Sequence, residues 1–294
     1  MEKSPKVIAI VPAFNEAANI VSAVEDLRAN APDVNYVVVN DGSRDGTAAI
    51  CRQRGYHMID LPVNLGLAGA FQTGMKYALD HGYDYALQFD ADGQHSAAYV
   101  GALVDAAEKQ QANVVIGSRF AAVKKPVSAR MAGSALISAM ILLTTGKRVQ
   151  DPTSGMRLFD ASMIRLLATE PDLGPEPDTI ALLMRRGAKV CEVQVQMRDR
   201  VAGESYLTFT RSASYMARIG LSILLVQWFR RPFSEPGRFR GKVAVAPSDV
   251  AACCAPVPTD QVLRPCEVEG GRALFGSSAA STKGAGAMEE EALR

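Results

Sequence analysis

The sequence predicts an α/β fold in which a mostly parallel β-sheet is flanked by helices. Short β-branched runs at residues 7–11 and 36–39 alternate with longer stretches, such as 17–29, whose apolar residues recur at helical spacing. Polar clusters also follow the runs directly, which is typical of parallel sheets, because ligands bind beyond the carboxyl ends of their strands. Strands that alternate with helices indicate βαβ units.

The alternation continues through the first 120 residues and then becomes less regular. Runs without polar alternation indicate strands that are buried on both faces. Further strands are predicted at residues 57–61, 85–89, 114–117, within 151–159 and at 190–197. Further helices are predicted at residues 46–54, 67–81, 97–109, 129–145, 161–168, 178–186 and 211–231.

The character of the sequence changes near Pro232. Beyond this residue Pro, Gly, Ala, Ser and Thr dominate, a composition that does not support a hydrophobic core of its own. We therefore predict one folded domain at residues 1–232 and a low-complexity, disordered tail at residues 233–294.

The overall charge and the apolar runs limit the classes of partner. The formal net charge is +1, so no basic field favours nucleic acid, which we exclude as an expected partner. No apolar signal region precedes the first predicted strand, and we expect a cytoplasmic location. The longest apolar stretch, 219–229, is too short to span a membrane. Its flanking arginines and its Trp228 fit either a helix on the cytoplasmic membrane surface or a core helix.

Two carboxylates follow the strand predicted at residues 85–89. Asp90 and Asp92 are one residue apart, and they repel each other unless a cation lies between them. Hard carboxylate oxygens suit Mg²⁺ or Mn²⁺, which typically bind one or two carboxylates together with substrate phosphates. Such an ion stabilises the negative charge of a departing diphosphate. A turn with capping aspartates is the alternative for the isolated tripeptide.

Polar residues at two neighbouring strand ends extend this candidate site. Asp41 follows the second predicted strand, and its carboxylate could accept a hydrogen bond from a ring nitrogen of a nucleobase. Asn15 and Glu16 follow the first strand, where they could contact ribose or base. A tight turn that caps the next helix is the alternative for the segment 40–47.

Six segments, taken in order, resemble the signatures of glycosyltransferase family 2. They are VPAFNE (11–16), NDGS (40–43), DADGQH (90–95), GSRF (117–120), DPTSGMR (151–157) and RVAGES (200–205). The later segments are most similar to the branch that includes dolichyl-phosphate mannose synthases and bacterial polyprenyl-phosphate glycosyltransferases. The resemblance covers about residues 6–231, which makes residues 1–232 the catalytic domain.

The resemblance implies a GT-A-like (Rossmann-like) fold, a UDP- or GDP-sugar donor, Mg²⁺ or Mn²⁺ as cofactor, and inversion at the anomeric carbon. It also implies roles for individual residues. The nucleotide-sugar site would comprise Pro12, Asn15, Glu16, Asp41, Ser43, Asp90, Ala91, Asp92 and Arg119. Asp90 and Asp92 would hold the metal, with Gln94 or His95 close by. Arg157, Arg200 and Ser205 would meet the acceptor or its phosphate, because guanidinium groups bind phosphate through paired hydrogen bonds.

The catalytic base is predicted in the segment GPEPD at residues 174–178. Many inverting members of the family use a carboxylate of a Glu-Asp pair, which a proline splits in this chain. Asp178 is the first candidate and Glu176 the second, although either residue could cap the following helix. A phosphate acceptor is already ionised and needs no base, so the split pair fits such an acceptor.

Four functions remain open on the sequence alone. The first is transfer of a sugar to a polyprenyl phosphate or lipid-linked acceptor in cell-envelope glycan synthesis, with contact to the membrane surface. The second is transfer to a soluble or cell-wall saccharide. A sugar nucleotidyltransferase is the third, although it would carry a Gly-rich loop and a basic residue after the first strand. A non-catalytic nucleotide-sugar-binding module is the fourth, and the existence of a homo-oligomer is left open as well.

Overall fold

The computed structural model describes residues 4–123, 129–170, 173–198 and 216–226. The strands are β1 (Val7–Ala13), β2 (Asn35–Asn40), β3 (Met58–Asp60), β4 (Tyr85–Gln88), β5 (Val114–Ser118), β6 (Arg157–Asp160) and β7 (Val190–Gln194). The helices are α1 (Ile20–Asn30), α2 (Thr47–Gln53), α3 (Gly66–Asp80), α4 (Val100–Gln110), α5 (Ala129–Thr145), α6 (Ala161–Thr169) and α7 (Pro177–Arg185). The predicted tail at residues 233–294 lies outside the described part of the chain.

The seven strands form one sheet in the order β3-β2-β1-β4-β6-β5-β7. Strand β6 runs antiparallel to both β4 and β5, and the other neighbouring pairs are parallel. The prediction of a mostly parallel sheet flanked by helices is therefore confirmed. Because β6 is reversed, its first residue, Arg157, lies opposite Gln88 at the end of β4. The loop that precedes β6 thus reaches the edge of the sheet where the parallel strands end.

Both faces of the sheet are buried, and successive residues of β1 serve different faces. Ile8 and Ile10 belong to one buried cluster, whereas Ala9 and Val11 belong to the other. This alternation follows from the two-residue period of side chains along a strand. Gly74 permits the close approach of α3, because a Cβ atom there would overlap Ile10 Cγ2.

Two α-helices begin three residues later than predicted. The first helix was predicted from residue 17 but begins at Ile20, and the amide of Ala17 donates a hydrogen bond to Asp45 Oδ2 at 3.1 Å. The helix predicted at residues 97–109 begins with a 3₁₀ turn, Ala97–Tyr99, and becomes α4 at Val100.

The predicted helix at residues 211–231 is described only over residues 216–226. We call these residues the C-terminal segment. Its helix continues into a π-helical turn, Ser222–Val226. No helix among the described residues is both long enough and apolar enough to cross a membrane.

Candidate active site

Asp90 and Asp92 lie just beyond β4, at the carboxyl edge of the sheet. Asp90 Oδ1 accepts a hydrogen bond from the Gln88 side-chain amide at 3.2 Å, and Asp92 Oδ1 accepts one from the Gln94 backbone amide at 3.1 Å. Gly93 makes the turn after Asp92 possible, because its φ of 76° is unfavourable for residues with a side chain. A neighbouring side chain therefore orients Asp90, and the backbone of this turn orients Asp92.

His95 is buried beside this pair and contacts Asp90. Its Nδ1 accepts a hydrogen bond from the Asp90 backbone amide at 3.1 Å, so Nε2 carries the proton of the neutral ring. Nε2 lies 3.9 Å from Asp90 Oδ2. The prediction that Gln94 or His95 lies close to the metal stays a prediction.

The chemistry of the donor set fits a cation that is shared with substrate. Within the described residues, no cluster of three or more His, Cys, Asp or Glu side chains could hold a metal ion. Asp90 and Asp92 alone supply hard oxygen ligands. Two carboxylates suit Mg²⁺ or Mn²⁺ when phosphate oxygens and water complete the coordination.

Gly155 brings the loop before β6 against Asp90, a contact that the sequence analysis missed. A Cβ atom at Gly155 would overlap Asp90 Oδ2 and would lie 3.1 Å from His95 Cε1. Any side chain at this position would displace the carboxylate. The glycine in the segment 151–157 was the available signal, but only the reversed strand β6 shows what it meets.

Asp41 lies at the end of β2 and is 3% exposed. Its Oδ1 accepts a hydrogen bond from the Leu65 amide at 2.7 Å, while its Oδ2 makes no hydrogen bond within the described residues. Gly42 adopts φ 64°, and a Cβ atom there would lie 2.7 Å from the Asn64 amide nitrogen. The loops after β2 and β3 are therefore in direct contact around the Asp41 carboxylate.

The predicted residues after β1 hold two loops together. The Asn15 amide donates to Ser43 Oγ at 3.0 Å, and Asn15 Oδ1 accepts from the Arg44 amide at 2.9 Å. The Glu16 amide donates to Thr47 Oγ1 at 2.9 Å. Asn15 and Ser43 thus connect the ends of β1 and β2, and half-buried Pro12 lies within β1 itself.

Arg119 forms a two-pronged ion pair with buried Asp151. Its Nε lies 2.7 Å from Oδ2, and one Nη lies 2.8 Å from Oδ1. Burial would raise the pKa of Asp151, but hydrogen bonds and charge from Arg119 outweigh that effect and the pKa is lowered. Those hydrogen bonds also raise the pKa of Arg119. A phosphate at Arg119 would have to share a guanidinium that already holds a carboxylate.

Arg157 is 2% exposed and connects two loops through backbone carbonyls. Its two Nη atoms donate to Pro175 O at 2.5 Å and to Pro152 O at 2.8 Å. Both Nη atoms are thus used by backbone carbonyls, and the prediction that Arg157 meets the acceptor or its phosphate stays a prediction. Arg157 joins the loop near Asp90 to the loop before α7. Arg200 and Ser205, the other predicted acceptor residues, lie outside the described residues.

Glu176 and Asp178, the two base candidates, line one cavity of about 230 Å³ at the start of α7. Glu176 occupies the N-cap position, and Asp178 lies in the first turn. Burial, together with the charge of Asp178, raises the pKa of Glu176. Asp178 is 7% exposed, and its Oδ2 accepts a hydrogen bond from the Ser222 hydroxyl at 2.6 Å.

A larger groove of about 700 Å³ lies between the loop after β5 and α5. Most of its lining is apolar and small, and Arg148 and Gln150 are its polar members. The lining residues are Phe120, Ala121, Ala122, Val123, Ala135, Ser138, Ala139, Leu142, Arg148 and Gln150. The sequence indicated that α5 is rich in Ala, Ser, Met and Leu, but it did not show which of its faces stays uncovered.

These features define an α/β enzyme whose polar site lies at the carboxyl edge of a mostly parallel sheet. The family model for glycosyl transferase family 2 matches residues 8–168, which is more than half of the chain. The chain belongs to this family and is a glycosyltransferase, as the ordered sequence signatures predicted.

Two relatives are similar over about 70% of this chain. An undecaprenyl-phosphate mannosyltransferase from Micrococcus luteus is 29% identical over 219 residues, covering 69% of this chain and 88% of the relative. A polyprenol monophosphomannose synthase from Mycolicibacterium smegmatis is 25% identical over 227 residues, covering 73% and 85%.

Solved structures share the fold at low identity. Glucosyl-3-phosphoglycerate synthase from Mycobacterium tuberculosis has a TM-score of 0.59 at 17% identity, covering 79% of this chain and 82% of that one. A mannosyltransferase from Pyrobaculum calidifontis, solved with GDP-Man and Mn²⁺, has a TM-score of 0.57 at 18% identity, covering 80% and 67%. The predicted GT-A-like fold is confirmed by these neighbours.

Proposed function

We propose that this chain transfers a sugar, with inversion, from a nucleotide-sugar donor to a polyprenyl phosphate, using Mg²⁺ or Mn²⁺. The observation that carries the proposal is the position of Asp90 and Asp92. They follow β4 at the carboxyl edge, and one of them lies against a glycine of the loop before β6. Because Gly155 has no side chain, the Asp90 carboxylate keeps its position there. The two aspartates therefore offer oxygen ligands to a cation.

Different residues of this chain would bind different parts of the donor. Asp41 would accept a hydrogen bond from the nucleobase through Oδ2, since Oδ1 is held by the Leu65 amide. Asp90 and Asp92 would hold the metal, which neutralises charge on the departing diphosphate when it is bound. His95 would keep Asp90 oriented through the bond to its backbone amide. These residues bind and orient the donor, and none of them attacks the sugar.

The acceptor is assigned from relatives and from chemistry. The names of two relatives specify undecaprenyl phosphate and polyprenol phosphate, which supports a polyprenyl phosphate here. An ionised phosphate oxygen can attack the anomeric carbon without a base. A saccharide acceptor is the second candidate, because its hydroxyl needs a base and Glu176 has a raised pKa.

The outer face of α5 supports a membrane surface as the place of reaction. An uninterrupted apolar stripe is exposed along this helix and comprises Ala135, Leu136, Ala139, Leu142 and Leu143. Leu143 is 78% exposed, and the cations Lys147 and Arg148 follow the helix. Exposed leucines with adjacent cations are typical of helices that lie in a membrane interface. We propose peripheral association with the cytoplasmic face, aided by Leu221 and Leu225 of the C-terminal segment, which are also exposed.

One transfer assay separates the four candidate functions. The full chain is incubated with UDP-, GDP- and dTDP-sugars, with Mn²⁺, Mg²⁺ or EDTA, and with polyprenyl phosphate vesicles or a soluble saccharide. We expect metal-dependent release of a nucleoside diphosphate together with a glycosylated lipid phosphate. Labelled saccharide product would favour the second acceptor class. Release of pyrophosphate in a parallel reaction that supplies a nucleoside triphosphate and a sugar 1-phosphate would indicate a nucleotidyltransferase, and donor binding without release of product would indicate a binding module.

The pair of base candidates distinguishes the two acceptor classes. Glu176→Gln and Asp178→Asn remove one carboxylate each while keeping its shape. With a phosphate acceptor we expect the acidic limb of the pH–rate profile of Glu176→Gln to match the unaltered chain. Loss of that limb, with turnover reduced at least a hundredfold, would show that Glu176 acts as a base.

A further inference from the structure

Ser222 makes a long-range bond that the proposed donor chemistry does not use. Its hydroxyl donates to Asp178 Oδ2 at 2.6 Å across 44 positions of the chain. Asp178 is almost completely buried, so this hydroxyl satisfies a carboxylate oxygen that has little access to water. The bond joins the C-terminal segment to the first turn of α7.

The packing of the C-terminal segment brings Ser222 to this place. Ile219 and Ile223 are buried, and a Cβ atom at Gly220 would lie 2.8 Å from Met140 Sδ of α5. The segment therefore packs against α5 as well as α7. A π-helical turn begins at Ser222, and such turns are rare in helices and frequent at functional sites.

The same segment completes the cavity that holds the two candidate base residues. Arg218, Ile219 and Ser222 line it from the C-terminal segment, opposite Glu176 and Asp178. Buried Arg157 connects the backbone of Pro175, beside this cavity, to the backbone of Pro152 in the loop that also carries Gly155. A continuous series of contacts therefore runs from the cavity to Asp90.

The two carboxylates of the cavity repel each other, and the position of one affects the other. Asp178 contributes to the raised pKa of Glu176, which shows that their charges interact. A hydroxyl that holds Asp178 Oδ2 limits rotation of this carboxylate toward its neighbour. Ser222 holds Oδ2 of this carboxylate, while the Thr179 amide holds Oδ1, so the hydroxyl contributes to the position of Asp178 in the cavity.

We infer that Ser222 is a positioning residue that holds Asp178 on the acceptor side of the active site. The inference rests on the proposed function, because it assigns the cavity to the acceptor. It makes the C-terminal segment, which also carries exposed Leu221 and Leu225, part of the machinery that receives the acceptor. The hydrogen bond between Ser222 and Asp178 does not involve the residues that we assign to the donor.

The test uses the full chain with Ser222→Ala, Ser222→Thr and, as a matched control, Thr169→Val. Thr169 bonds only to carbonyls within its own helix and lies on the surface of α6. For Ser222→Ala we expect kcat/KM for the acceptor to fall about tenfold, the cost of a hydrogen bond to a charged group. The KM for the donor stays at the value of the control, whereas the melting temperature falls by a few degrees, because the buried Asp178 carboxylate loses this hydrogen bond. Ser222→Thr keeps the hydroxyl and restores acceptor kinetics.

A double-mutant cycle with Asp178→Asn tests whether the two residues act together. We expect Ser222→Ala to add less than twofold to the loss already caused by Asp178→Asn, because the partner of the hydroxyl has changed. Unchanged acceptor kinetics in Ser222→Ala would overturn the inference. An equal fall in donor and acceptor parameters that Ser222→Thr does not restore would also overturn it.

Failure of the proposed acceptor gives a different result. It would appear in the unaltered chain, as transfer to the saccharide instead of to polyprenyl phosphate. In that case kcat/KM is measured with the saccharide for the Ser222→Ala variant and for the unaltered chain. The ratio of these two values still decides the role of Ser222.

Discussion

The proposed donor side of the site, residues 7–95, and the proposed acceptor side, the described residues between 117 and 226, are held together differently. On the donor side, short loops after β1, β2 and β4 are fixed by hydrogen bonds between neighbouring strand ends, such as that from Asn15 to Ser43. On the acceptor side, buried charged groups connect distant segments, as Arg119 does with Asp151. The comparison teaches that neutral hydrogen bonds between loops are prominent on the donor side, whereas a buried ion pair is prominent on the acceptor side.

The largest expected effect separates chemistry from folding on the donor side. Asp92→Ala should lower metal-dependent transfer by about a thousandfold, because a cation supplies several kcal/mol of charge stabilisation. The melting temperature should stay close to that of the unaltered chain, because Asp92 is a half-buried loop residue. Release of nucleoside diphosphate measures the first quantity and thermal unfolding the second. Asp33→Ala, at an exposed loop position, is the control and should change neither.

Retained activity in Asp92→Ala would place the metal elsewhere. A large loss of stability instead of activity would show that the donor side is held by this carboxylate, which would remove the contrast between the two sides.

The second effect concerns stability on the acceptor side. Asp151→Asn leaves the Arg119 guanidinium without its ionised partner and should lower the free energy of unfolding by about 3 kcal/mol. Asp105→Asn, which breaks an exposed pair with Lys109, should cost less than about 1 kcal/mol. Urea unfolding of both variants gives the comparison. Equal losses would contradict the view that buried charged groups hold the acceptor side.

The pH dependence of this ion pair has a definite sign. The pKa of Asp151 is lower in the folded chain than its ordinary value of 3.8, so its contribution is fully present above that value. The contribution is lost as the pH falls below 3.8 through the folded pKa. The stability difference between Asp151→Asn and the unaltered chain should therefore shrink in that acidic range.

These two sides also differ in how much of them could be predicted from sequence. The positions of Asp41, Asp90 and Asp92 followed from one rule, that polar residues after parallel strands share an edge. The role of Arg157 could not follow, since its partners are backbone carbonyls 5 and 18 positions away. Carbonyls are present at every residue, so no sequence pattern marks them. The reversed direction of β6 was hidden for a similar reason, because a strand four residues long carries no sign of its orientation.

A third effect tests the contact between the two sides. Gly155→Ala places a Cβ atom onto the Asp90 carboxylate and should lower kcat by tenfold or more, since small displacements of catalytic groups are costly. Gly101→Ala is the matched control, because a Cβ atom at that α4 position meets nothing within 4 Å. This control should keep full activity and gain up to about 1 kcal/mol of stability. Normal activity in Gly155→Ala would show that the loop before β6 moves away from Asp90 in the working enzyme.

The smallest effect concerns the outer surface of the acceptor side. Leu143→Gln removes the most exposed leucine of the apolar stripe on α5 and should weaken binding to anionic vesicles by about tenfold, from the area that one side chain buries. Val63→Gln is the control, because Val63 is 59% exposed in a loop on the donor side. Co-sedimentation with vesicles at low and high salt measures both variants. If the two variants bind equally, membrane contact does not distinguish the acceptor side. If Leu143→Gln alone is released, the surface that meets the lipid and the cavity that receives the acceptor belong to the same half of the fold.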